Sequence, residues 1–215
     1  DSKSLGTALI LEPFDGWRSS STVYEFLAMF KIVTKSISSK DSAHYLYSNY
    51  LSKYVQSMVK HCRNDLEKMI ATLVSKFGDV SRILDEKLSQ VRLLNHPHRY
   101  NRSQEVKYFK GISEILDQLQ NLVQDHQDIY PDLERDIYNY TFTNHLGKCL
   151  PDYIKDLWSD EYIDISERLY NGGELPGEAS FNAFSKFIHR MYRKQELIVE
   201  KLSVKKEEPK RKLPG

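Results

Sequence analysis

Cysteine is almost missing from this chain: Cys62 and Cys149 are its only two in 215 residues. Two thiols are too few for a disulfide framework or a four-cysteine zinc site, and they read most simply as free thiols in a reducing compartment. Long apolar runs are missing too. No stretch reaches the roughly 18 residues that a spanning helix needs, and the start of the chain lacks the basic-then-apolar order of a secretory leader. The expectation is an intracellular protein, or an excerpt of a longer one, with no membrane partner. Nor is there an excess of one charge. Lys and Arg number 31 against 30 Asp and Glu, a net +1, so any attraction to phosphate has to be local.

The residue patterns of catalysis and cofactor binding are absent as well. Gly172-Gly173 has neither the Gly-Lys-Ser/Thr ending nor the Gly-x-Gly-x-x-Gly spacing of a phosphate loop, and reads as a turn. His96 and His98 flank Pro97, and His61 adjoins Cys62, but no second ligand pair stands nearby to complete a zinc site. Cys62 and His61 are neighbours on a helix rather than facing groups across a cleft, so they make a poor nucleophile and base. Acidic residues such as Asp85 and Glu86 sit beside lysines on polar helix faces, and Asp15-Gly16 lacks the preceding Ser or Thr of an aspartic protease. The expectation is no enzyme, no cofactor and no metal.

What is present is a globular, helical pattern, 40% hydrophobic and 28% charged. Leu9 to Trp17 reads as an extended leader anchored by Phe14 and Trp17. Thr22 and Glu25 have capping-box spacing before a helix with Val23, Phe26, Leu27 and Phe30 inward. After Ser38 to Asp41 a single further helix is predicted, with Ala43, Leu46, Tyr47, Tyr50, Leu51, Tyr54, Val55 and Met58 inward. Leu66, Met69, Ile70, Leu73, Val74 and Phe77 mark the next helix, started by Asn64 or Asp65 and ended by Phe77-Gly78-Asp79, with Gly78 supplying positive φ. Val80 to Leu94 follows at once, so Phe77, Gly78 and Asp79 are expected to form a hinge.

Beyond the polar loop 95–102, Ser103 is placed to cap a helix carrying Val106, Phe109, Ile112, Leu116 and Leu119. Gln124 to Asp128 reads as a break, with Pro131 in a first helical turn. A face of Leu133, Ile137, Tyr138 and Phe142 comes next, then a restart at Leu150-Pro151. The segment 171–177 is the strongest breaker. A helix from about Ala179 to Leu202 is aromatic-rich early, and its late apolar residues are spaced for a partner helix. Lys205 to Lys212 reads as a basic tail.

The order of these motifs resembles the Gag capsid region of LTR retrotransposons, with the Bel/Pao and Gypsy groups and domesticated Gag proteins most similar. The motifs in question are Phe14-Asp15-Gly16, Phe26 with Phe30, Ala43 with Tyr50-Leu51, Leu66 to Asp79, Leu88 to Leu94, Ser103 to Val106 and Leu150-Pro151. The likeness covers roughly residues 9–160. It implies an all-α fold of two small lobes: 1–79 as an N-terminal-like lobe with its leader and 80–177 as a C-terminal-like lobe, followed by an additional helix 178–204 and a basic tail 205–215. It also implies self-assembly through pentamer or hexamer rings and two-fold contacts into cytoplasmic virus-like particles. Ser103, Gln104, Glu105 and Phe109 would correspond to the family's major homology region, with Phe109 in the core and Gln104 and Glu105 free for polar contacts. The Gln-Gly turn of the retroviral form is absent here, and so is any zinc knuckle. Lys205, Lys206, Lys210, Arg211 and Lys212 are then the candidate RNA contacts. The rival readings are a helical adaptor that binds a partner peptide and an RNA-binding nucleoprotein.

Overall fold

A computed structural model describes residues 11–126 and 132–207, with only the backbone described for Tyr140 and residues 205–207. The described residues are all-helical, with no strand beyond an isolated parallel bridge between Phe14 and Leu51. The elements are α1 Val23–Val33, α2 Ser39–Asn49, α3 Lys53–Val59, α4 Leu66–Phe77, α5 Val80–Leu93, α6 Arg102–His126, α7 Leu133–Ile137, α8 Tyr140–Lys148, α9 Asp152–Tyr170 and α10 Gly177–Glu207, with short 3-10 turns at Gly16–Arg18 and Lys60–Cys62. The chain divides into two compact units, Asp1–Ile83 with Leu122–Leu133, and Leu84–Asn121 with Glu134–Gly215. The division falls inside α5.

In the first unit α4 packs against α1, α2 and α3. Thr22 accepts the Glu25 N–H while Glu25 accepts the Thr22 N–H, closing the capping box on α1. Ser38 and Asp65 cap α2 and α4 in the same way through one side-chain oxygen each. The extended leader is tied to the helices by backbone. Phe14 N–H donates to the Tyr50 carbonyl at 2.8 Å and Ser52 N–H donates to the Phe14 carbonyl at 3.0 Å. Phe14 is fully buried, stacked on Phe26 at 5.0 Å and edge-on to Phe77 at 5.5 Å.

This leader corrects the reading of residues 41–58 as one helix. Tyr50, Leu51 and Ser52 leave the helix to bond Phe14, and Ser52 then caps α3 by accepting the Val55 N–H. Because α3 starts afresh, its buried side is Val55 and Val59, and Tyr54 turns out to solvent.

In the second unit α10 packs on α8 and α9. Phe181, Phe184, Phe187 and Ile188 are buried, with Trp158 of α9 in edge contact with Phe184 at 5.1 Å. Phe109, Ile112, Leu116 and Leu119 supply the α6 side of this core. The predicted face 133–142 is interrupted: α7 ends at Ile137, and Asn139 caps α8 by accepting the Thr141 N–H. The α9 end is a left-handed one. Asn171 has φ 52° and Gly172 φ 77°, and Gly172 N–H reaches back to the Ser166 carbonyl at 2.9 Å.

Candidate functional site

The start of α6 gathers the polar groups that the sequence singles out. Helix α6 begins at Arg102, so Ser103 lies inside its first turn; the expected cap role belongs instead to Asn101, whose Oδ1 accepts the Gln104 N–H at 3.2 Å. Gln104 faces the preceding loop, where its Oε1 accepts the His98 N–H at 2.9 Å. Glu105, only 3% exposed, collects three donors: the Tyr100 N–H at 3.3 Å, the Tyr153 hydroxyl at 3.2 Å and the Arg102 guanidinium at 3.2 Å. Arg102 also donates to Oε1 of buried Gln195 at 2.9 Å. Phe109, one turn further, is fully buried.

The consequence is a carboxylate that pins three segments of the second unit, loop 95–101, α6 and α9, while its partner Arg102 adds α10 through Gln195. Tyr100 holds a left-handed backbone, φ 71°, with its ring exposed, a conformation unusual for an aromatic residue. The Glu105 carboxylate bonded to its N–H helps hold it there. Burial, followed by the charge and hydrogen bond of Glu105, pushes the Tyr153 hydroxyl up to about 12, with Arg102 and Arg99 opposing. The buried Tyr108 phenol is raised further, chiefly by burial. A buried carboxylate with three donors on its two oxygens positions the segments those donors come from.

The residues expected to form a hinge all lie in the first unit. Phe77 is buried beneath Phe14 and Trp17. Gly78 does not use positive φ; its φ is −101°. It is glycine for space, since an added Cβ would stand 2.4 Å from the Val74 carbonyl and 2.6 Å from the Tyr24 hydroxyl. That hydroxyl donates to the Gly78 carbonyl at 2.7 Å. Asp79 is exposed and accepts the Ser81 N–H. Positive φ occurs at Gly16 instead, 65°, where a Cβ would press into the Phe77 ring.

Of the candidate RNA contacts, Lys205 and Lys206 fall in the last turns of α10 and Lys210, Arg211 and Lys212 lie outside the described residues, as does Pro131. A cationic face that sequence reading missed precedes them on α10: Lys186, Arg190, Arg193, Lys194 and Lys201 line one groove with His189, Leu197 and Ile198. Arg190 pairs with Glu161 at 2.9 Å, while Lys186, Arg193, Lys194 and Lys201 form no ion pair among the described residues. The signal was in the sequence as helical spacing, 186, 190, 193, 197 and 201 sharing one side. Among the described residues no group of three or more His, Cys, Asp or Glu is placed to hold a metal ion, and no helix is long and apolar enough to cross a membrane. No protein-family model, no curated protein and no solved structure matches this chain.

Proposed function

We propose that the chain is a structural capsid subunit of the Gag type, which self-assembles into cytoplasmic virus-like particles that enclose retroelement RNA. The observation that carries this reading is the turn before α6. Gln104 and Glu105 hold the loop by side-chain hydrogen bonds while Phe109 is buried behind them; the resemblance would put Phe109 in the core and leave Gln104 and Glu105 available for polar contacts, and this supports the reading. An all-helical chain with two compact units is compatible with two capsid lobes. The exposed apolar residues also suit the role. Ile32, Tyr54, Leu93, Leu157 and Leu169 are exposed. Contacts through such residues are weak, and a shell multiplies weak contacts by symmetry. RNA would be met by the α10 cations together with the tail.

An adaptor that binds a partner helix is the second reading, favoured by Leu197, Leu202 and Val204, which are exposed on the distal part of α10. Sedimentation velocity over a range of protein concentration and salt separates the two. The capsid reading expects a cooperative step from a small species to very large ones. The adaptor reading expects a monomer or dimer throughout.

A further inference from the structure

We infer that the cleft between α8 and α9 is a binding site for a small amphiphilic organic anion, an acid with a flat apolar body. The cleft has a volume of about 380 Å³ and lies wholly within the second unit. That is large enough for a small-molecule ligand. Its lining has two ends. At the turn joining the helices stand Lys148, the last residue of α8, and Lys155, in the first turns of α9. Lys148 forms no ion pair among the described residues, and Lys155 reaches only Asp152, at 3.4 Å, whose side chain is almost wholly in solvent. The other end is apolar and hydroxylic, with Trp158, Tyr162, Ile163 and Thr143.

One group in this lining calls for a partner, and a second is a free donor. Thr143 is 1% exposed, and its Oγ1 has no hydrogen bond. A buried hydroxyl left unpaired costs stability, so it asks for an explanation. The Trp158 Nε1 also makes no hydrogen bond among the described residues, but it is not a buried orphan like Thr143 Oγ1 and is a donor that a ligand could use. Gly147 keeps the wall beside it open, since a Cβ there would come within 3.3 Å of that nitrogen. A carboxylate between Lys148 and Lys155, an aromatic body against Trp158 and Ile163, and a hydroxyl near Thr143 would satisfy these groups together. This inference is independent of the assembly reading.

The probes are 2-naphthoate, its neutral amide, and 6-hydroxy-2-naphthoate, followed through the indole N–H resonances of the 15N-labelled full chain. Trp17 and Trp158 are the two tryptophans, and Trp17→Phe assigns them. The expected result is a saturable shift of the Trp158 signal with 2-naphthoate and binding of the amide weaker by about tenfold or more. Lys148→Glu with Lys155→Glu, both at solvent-facing side chains, should weaken the acid by a similar factor while the melting temperature stays close to that of the parent. The hydroxy acid should bind about threefold or more tighter than 2-naphthoate, and Thr143→Val should erase that preference. No saturable shift up to about 10 mM of either acid would overturn the proposal. So would equal binding of the amide, or a shift that the double charge reversal leaves unchanged.

Discussion

Glu105 ties together loop 95–101, α6 and α9, so its loss should be felt well away from α6. Glu105→Gln keeps the shape and removes the charge that Arg102, Tyr153 and the Tyr100 N–H all address. The expected cost is about 1 to 3 kcal/mol, read as a lower midpoint in urea. Phe109→Ala, which empties a fully buried site, should cost about 3 to 5 kcal/mol. The same cluster sets a pH dependence. Because the Tyr153 hydroxyl is raised in the folded chain, from 10.0 to about 12, the stability it contributes is complete below pH 10. It is lost as pH climbs from 10 towards 12, where the unfolded chain ionises first. Thermal melts across that window should fall less steeply in Tyr153→Phe. At this scale the sequence was only partly legible. The burial of Phe109 could be anticipated from its place on an apolar stripe, but the bonds that Glu105 collects and the need at Gly78 could not. That need is space beside the Val74 carbonyl and the Tyr24 hydroxyl, the latter distant in sequence, rather than a backbone angle. Gly78→Ala should therefore destabilise by about 1 to 3 kcal/mol through crowding, detectable by calorimetry.

Among the elements, the leader decides more than its length suggests. Its bonds to Tyr50 and Ser52 end α2 and allow α3 to start, and Phe14 fills the space between Phe26 and Phe77. Phe14→Ala should cost about 3 to 5 kcal/mol and loosen the 50–52 turn, visible as faster amide exchange there. Local signals announced the starts of α1 and α4. Thr22 and Asp65 cap where their side chains predict, because a cap is a contact between residues three apart, whereas Ser38, read as part of a break, caps α2. The α2 to α3 break was hidden because the apolar spacing runs through it without a glycine or proline. What interrupts the helix is a strand-like pairing with residue 14, and no window around residue 50 contains that information. Helix α10 was foreseen, but it runs Gly177–Glu207, beyond the expected Ala179 to Leu202, and takes in Lys205 and Lys206 of the expected tail. Its basic face is spread along the helix among apolar residues rather than concentrated like the tail, so the charge density of the sequence does not mark it.

For the whole molecule, the net charge is near neutral, so on the capsid reading RNA would be met by the local cations of α10 and the tail. Arg193→Glu with Lys194→Glu should reduce affinity for a single-stranded RNA by about tenfold or more at low salt, and it should flatten the dependence of log affinity on log salt. Filter binding at several salt concentrations checks this. Both side chains are exposed, so the melting temperature should hardly move. On the capsid reading, assembly would belong to no single residue, since the exposed apolar groups on both units would offer several weak contacts rather than one strong patch. The most direct measurement is negative-stain electron microscopy with light scattering on the purified chain, at low and high salt, with and without RNA. The capsid account predicts shells, tubes or rings under at least one of these conditions. A monodisperse monomer or dimer under all of them would contradict it.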